Sequence, residues 1–223
     1  MRNWKTKMSD LLIGTSSYDY PKWKGVFYPK NFARKDFLSY YATKFNAVEL
    51  NNTFYNMPTA DRMKGFYDRS EGRLFFSVKA NRLLTHEIDL NWKTAATDFQ
   101  VALALLSDKG VLSAVLFQLP QSFHYTPDNC FYLDDLLKTF EELPTVVEFR
   151  HKEWIRPSVF EGLDKRWIGI VFCDMPKLRD LPNGLTVGEG ENRTPFTGSQ
   201  AYIRLHGRNA NAWYAHRFFQ IRL

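Results

Sequence analysis

The chain has little cysteine, and what it has forms no pattern. Cys130 and Cys173 are its two cysteines in 223 residues, and they show no metal-ligand spacing. A disulfide scaffold and a Cys-type zinc module are thereby excluded, and two free thiols fit a reducing cytoplasm. No run of about 18 apolar residues occurs, so neither a membrane span nor a membrane partner is expected. The opening MRNWKTKMSDLLIG is basic but lacks the apolar stretch of a secretory signal. No GxGxxG turn follows the first strand-like segment, which argues against a dinucleotide fold. Serine elbow, P-loop and HExxH are missing as well, so no cofactor is expected.

What is present is an uneven charge. Residues 1–44 hold nine Lys or Arg and three acids, and so carry the whole formal excess of +6. Tyr18, Tyr20, Trp23, Phe27 and Tyr28 are interleaved with these bases. Basic residues mixed with aromatics make a candidate surface for phosphate or nucleic acid. The alternative is a solvated basic segment with its aromatics packed beneath.

Strand and helix signals alternate along the chain. Strands are expected at 11–17, 47–54, 74–80, 112–119, 145–150, 167–174 and 201–206. Helices are expected at 37–45, 59–69, 91–108, 128–142 and 157–164. Between 175 and 199 lies a loop rich in Gly, Pro, Asn and Thr. Apolar strands alternating with helices imply a parallel sheet in one α/β domain spanning 1–223.

The strands are apolar except near their C-terminal ends. Glu49 and Asn51, Lys79, Gln118, Glu148 and Arg150, Asp174, then Arg204, His206 and Arg208 fall there in turn. Strand side chains alternate between faces, so Glu148 shares a face with Arg150, and Arg204 with His206. By the same count Cys173 points away from the Asp174 face, which argues against a cysteine nucleophile. Polar groups from the ends of several strands are what a barrel-type active site requires.

Seven segments also carry a family resemblance: IGTSSYDYPKWKGVFYP, FNAVELNNTFYNMP, FFSVKANRLLTH, LFQLPQSF, VEFRHKEW, the lone Asp174 and YIRLHGR. In this order they resemble the YecE-like family (domain of unknown function seventy-two), from about Ile13 to Tyr214. The resemblance implies a TIM-type (β/α) barrel and supplies no established reaction. The family usually reads TSGW where this chain has Thr15-Ser16-Ser17-Tyr18, and QLPPSF where it has Gln121. It usually continues to an eighth strand, and FFQIRL does not resemble that continuation. The expectation is an incomplete barrel of about seven strands, truncated at its C-terminus.

Roles follow from residue type. Glu49 or Glu148 would act as general base and His206 as general acid, with Asp174 and Lys79 beside them. Arg150, Arg204 and Arg208 would bind phosphate or carboxylate, Arg offering a two-pronged contact. Asn51 and Gln118 would orient a hydroxyl, and Tyr18, Trp23 and Tyr55 would line the substrate. Glu148, Asp174 and His206 are also ligand types in a plausible order. Lys79, Arg150 and Arg204 would repel a cation there, so no metal is expected. His86, just after the third strand, reads equally as a loop-ordering hydrogen-bond partner or a catalyst, and His124, His151 and His216 read as structural or exposed.

The reading is an enzyme acting on a small phosphorylated or anionic substrate. The alternatives are a nucleic-acid-binding protein or phosphodiesterase that uses the basic first loop, and a non-catalytic scaffold whose charged set is an ion-pair lattice. Oligomeric state is open. Salt dependence separates the first two readings. Affinity for DNA or RNA held by phosphate contacts falls steeply and linearly in log salt. The expected outcome of a salt titration with short oligonucleotides is no measurable binding even at about 0.05 M salt. Tight binding with a steep slope would favour the nucleic-acid reading.

Overall fold

The computed structural model describes residues 11–182 and 194–213. Among the described residues six strands are formed: β1 Ala47–Leu50, β2 Phe75–Lys79, β3 Leu112–Gln118, β4 Thr145–Glu148, β5 Gly169–Asp174 and β6 Tyr202–Leu205. The helices are α1 Phe37–Tyr41, α2 Asn52–Tyr55, α3 Ala60–Arg69, α4 Trp92–Asp108, α5 Pro127–Thr139, α6 Pro157–Lys165 and α7 Ala210–Trp213. The strands lie in the order β1-β2-β3-β4-β5-β6, with the pairs β1·β2, β3·β4, β4·β5 and β5·β6 parallel. Among the described residues no helix is long and apolar enough to cross a membrane.

The helix starts follow their local chemistry. Thr59 accepts the Arg62 amide N–H at the start of α3, and Thr126 accepts the Asn129 amide at the start of α5. Each hydroxyl satisfies a backbone donor that has no partner within the helix. Pro127 and Pro157 open α5 and α6, where a missing N–H is harmless.

The chain gathers into two compact units. Among the described residues, the first comprises 11–81 and 97–114, and the second 82–96, 115–182 and 194–213. In the first, β1 and β2 pair from Ala47↔Phe75 to Leu50↔Val78. Val48, Leu50, Phe76 and Val78 on one face and Glu49 and Ser77 on the other are all buried, as a parallel sheet covered on both faces demands. The basic aromatic segment packs its rings together. Tyr28 stacks on Phe37 at 3.9 Å, and Trp23 meets Tyr20, Phe27 and Tyr28 at 4.6–6.2 Å.

The expected strand at 11–17 is reduced to one parallel bridge, Ser16↔Glu49. Ala47 and Glu49 donate to the carbonyls of Ile13 and Thr15, and Ser17 donates to that of Glu49. The Tyr41 hydroxyl supplies the physical reason the ladder stops there. It accepts the Thr15 amide at 2.7 Å and donates to the Ala47 carbonyl at 3.1 Å, standing where a ladder bond would run. Ile13 likewise gives its N–H to the Asn46 side chain.

In the second unit β3, β4, β5 and β6 run in register through Gln118↔Glu148, Val147↔Ile170 and Cys173↔Arg204. Phe117 packs edge-on against Phe140 at 5.0 Å, and both are fully buried. Trp154 stacks on Phe123 and Phe149. Ile203 and Leu205 depart from the expected helix-covered face: among the described residues they stay exposed. The expected stop before an eighth strand falls beyond Trp213, outside the described residues, as do residues 183–193 of the long loop.

Two backbone positions in the first segment have opposite requirements. Ser17 sits at φ 81°, in the left-handed region that favours glycine. A side chain at Gly14 would place its Cβ 2.1 Å from the Ala47 carbonyl oxygen. Ser17→Gly should therefore raise stability by about 1 kcal/mol, and Gly14→Ala should lower it by about 1–3 kcal/mol. Chemical denaturation of the two variants checks both signs.

Candidate functional site

The strand β4 ends on Glu148, whose side chain is 0% exposed. A carboxylate so placed must be paired, since an isolated buried charge is far too costly. Two arginines pair it. Arg150 Nε binds Oε1 and Arg204 Nη1 binds Oε2, so each oxygen holds one guanidinium. Arg150 lies just past the end of β4, and Arg204 comes from β6. Arg204 thus reaches Glu148 across the intervening β5. Cys173 stands on β5 beside Arg204 in register, and a small side chain there leaves room for the crossing.

His206 completes the group. Its Nε2 lies 3.2 Å from Arg150 Nη2 and 3.4 Å from Arg204 Nη1. A guanidinium only donates, so with the ring neutral these contacts use the Nε2 lone pair and leave the proton on Nδ1, whereas a protonated ring turns Nε2–H toward Glu148 Oε1, 3.6 Å away. Trp213 meets the His206 ring at 6.0 Å and lies 5.2 Å from the Arg150 guanidinium. One carboxylate against two guanidinium groups leaves the cluster with one net positive charge. Side-chain exposures of 14% for Arg150, 9% for Arg204 and 17% for His206 leave it reachable from solvent.

The electrostatics follow from this geometry. Burial pushes the Glu148 carboxyl upward, but Arg150, Arg204 and His206 outweigh it and hold the group well below its usual value. Burial, reinforced by Glu148, pushes the Cys173 thiol well above its usual value. A thiol held protonated is a poor nucleophile.

The other expected residues lie as follows. Gln118 shares a rung with Glu148. Asp174 is held by Arg208, whose Nε lies 2.8 and 3.1 Å from the two carboxylate oxygens. In the first unit Glu49 is buried and bridges to Ser16. Asn51 has left the strand for helical geometry, and its amide donates to the Ser16 hydroxyl. The Lys79 ammonium lies 4.3 Å from the Phe54 ring centre, and Tyr55 is exposed beside Phe54. The Tyr18 ring packs on Tyr41 and Phe66.

One expectation is corrected. Cys173 does point away from the Asp174 face, but it is Cys173 and not Asp174 that faces the charged set, its sulfur lying within 4.8 Å of ligand atoms of Glu148 and His206. The register Cys173↔Arg204 puts these two on one face, and Asp174 on the alternate one. Trp213 was not foreseen at all, because nothing in the sequence places a residue after β6 over a residue after β4.

Two groups of side chains have metal-ligand proximity among the described residues. Glu148, Cys173 and His206 form one; His124, His151 and Glu153 form the other. The first is unsuited to a cation, since both Glu148 oxygens are committed to guanidinium groups that would repel it. In the second, hydrogen bonding from the Tyr125 amide, with His124 and His151 nearby, holds Glu153 below its usual value.

The family described as "Protein of unknown function DUF72" matches residues 12–221. The chain belongs to the DUF72 family. It is similar to UPF0759 protein YunF of Bacillus subtilis (strain 168), with 29% identity over 198 residues, 83% of this chain and 67% of that one. It is also similar to the crystal structure of a DUF72 family protein from Thermotoga maritima MSB8. There the TM-score is 0.76 at 30% identity, over 95% of this chain and 78% of that one. A DUF72 protein from Enterococcus faecalis V583 shares the fold at 21% identity and a TM-score of 0.63, over 79% of this chain and 71% of that one.

Within this DUF72 chain the pH dependence of stability carries the signature of Glu148. A depressed folded value means that the stabilisation is fully present above the unfolded carboxylate value of about 4.3 and is lost as pH falls through the folded value. Glu148→Ala removes the carboxylate that two part-buried guanidinium groups share and should destabilise by about 3–5 kcal/mol at pH 7. Its stability should also fall less steeply with acid than the parent's. Urea titrations at pH 3–7 measure both effects.

Proposed function

We propose that this protein binds a small phosphorylated or otherwise anionic molecule at the Glu148–Arg150–Arg204–His206 cluster and acts on it as an enzyme. The observation that carries the reading is the fully buried Glu148 carboxylate gripping two guanidinium groups, each only partly occupied by it. A guanidinium has five N–H donors, and Arg150 gives Nε to Glu148 and turns Nη2 to His206, so its fork can also meet a second anion. The carboxylate fixes both forks before a ligand arrives, which lowers the ordering cost of binding. Hydrophobic filling would serve packing alone as well or better.

The residues divide the work by position. Arg150 and Arg204 hold the anion. His206, with a proton on Nδ1, is the group able to exchange a proton with a bound substrate. Glu148 positions the arginines rather than acting as a base, since both its oxygens are engaged. Gln118, level with Glu148, is placed to meet a hydroxyl. In this reading the six parallel strands belong to a TIM-type barrel, whose chemistry sits at the C-terminal strand ends. Free thiols at Cys130 and Cys173 are in keeping with action in the cytoplasm.

Calorimetry with phosphate, sugar phosphates and short oligonucleotides at low salt tests the proposal. Phosphate or a sugar phosphate should bind the parent, and Arg204→Met should lose that binding while retaining its circular dichroism spectrum. Equal binding by Arg204→Met, or none by the parent, would refute the anion site. Preference for oligonucleotides would move the substrate class to phosphodiesters.

A further inference from the structure

We propose a metal site at His124, His151 and Glu153, taking a zinc-class divalent ion through two imidazole nitrogens and one carboxylate oxygen. It lies apart from the residues of the anion reading and does not rest on it.

The spacing is that of a coordination polyhedron. His124 Nδ1 lies 3.1 Å and His151 Nδ1 3.4 Å from the same oxygen, Glu153 Oε2. Two donors about 2.1 Å from a tetrahedral zinc stand about 3.4 Å apart. One ion can therefore touch all three groups with little movement. The imidazole rings lie 4.5 Å apart and tilted, so both face this oxygen without stacking flat. Two histidines and a carboxylate also form a ligand set typical of zinc sites that keep one position open.

The hydrogen bonding leaves a place for a cation. The Glu153 amide N–H donates to His151 Nδ1 at 3.3 Å, so that nitrogen carries no proton, and an ion would take over the one lone pair that this long contact now uses. Glu153 Oε2 accepts the Tyr125 amide at 3.2 Å and presents lone pairs as well. Two acceptors thus face each other at 3.4 Å. A cation bound between them converts that repulsion into attraction. The nearby bases are engaged by other groups: Lys152 pairs with Asp180 at 3.3 Å, and the Arg156 guanidinium lies over the Tyr125 ring at 3.8 Å.

The ligands stand on a braced frame. The Trp154 indole N–H donates to the Phe123 carbonyl at 2.7 Å, and its ring stacks on Phe123. That contact ties residue 123, next to His124, to residue 154, next to Glu153. The Asn129 side chain donates to the His124 carbonyl. His151 is buried, whereas His124 and Glu153 are 54% and 41% exposed, so an ion can enter from solvent.

Zinc(II) titration of the full chain against a chromophoric chelator, followed by dialysis and metal analysis, tests the site. One zinc per chain is expected. His124→Ala and Glu153→Gln should each weaken binding by more than about tenfold, since even groups one shell further out shift metal affinity by that much. Both side chains are largely exposed, so both variants should keep the parent's thermal unfolding temperature. Cys173→Ser should bind as the parent does. Cobalt(II) should give a tetrahedral visible spectrum without a thiolate charge-transfer band. No zinc bound by the parent, unchanged affinity in His124→Ala, or loss of binding in Cys173→Ser would each overturn the assignment.

Discussion

The buried carboxylate of Glu148 sets the terms for the strand ends around it. A charge with no solvent exposure cannot stand alone, so two guanidinium groups must reach it. Arg150 does so from the segment that continues β4. Arg204 does so from two strands away, over Cys173. The position of β6 and the small side chain at residue 173 accommodate that requirement. The same carboxylate leaves one positive charge in excess, and that excess is the basis of the anion reading.

The first unit repeats the pattern with a neutral group. The Tyr41 hydroxyl stands between the Thr15 amide and the Ala47 carbonyl, and so takes the place of a backbone bond. A side-chain atom therefore fixes how residues 13–17 run beside β1. The aromatic residues that alternate with lysines in residues 18–28 turn their rings toward one another. Tyr28 is buried against Phe37, while Lys22 and Lys24 stay in solvent.

Membership of the DUF72 family accounts for the agreement between motif order and strand order. Ser17 holds a left-handed backbone without being glycine, so the local path is imposed by the surrounding bonds rather than by the residue. The family carries no established chemistry, and the functional argument therefore rests on the site alone.

Much of the fold was legible in the chain itself. Apolar runs of four to seven residues between amphipathic helices determine a parallel α/β sheet, because both faces of each strand must be buried. Thr59 and Thr126–Pro127 mark helix starts by chemistry that acts over three residues. The pairing of Glu148 with Arg150 follows from period-two alternation in the same way. Contacts between distant residues were not legible. Arg204 is 56 residues from Glu148, and the register of β5 beside β6 decides whether Cys173 or Asp174 faces them. A slip of one residue would exchange the two, and no local propensity distinguishes those registers. His124 meets Glu153 only because the stacked Trp154 ring closes a gap of 29 residues. Short-range periodicity thus fixed the elements. Which polar groups share a site was decided by tertiary packing, because that depends on register and on side chains reaching across strands.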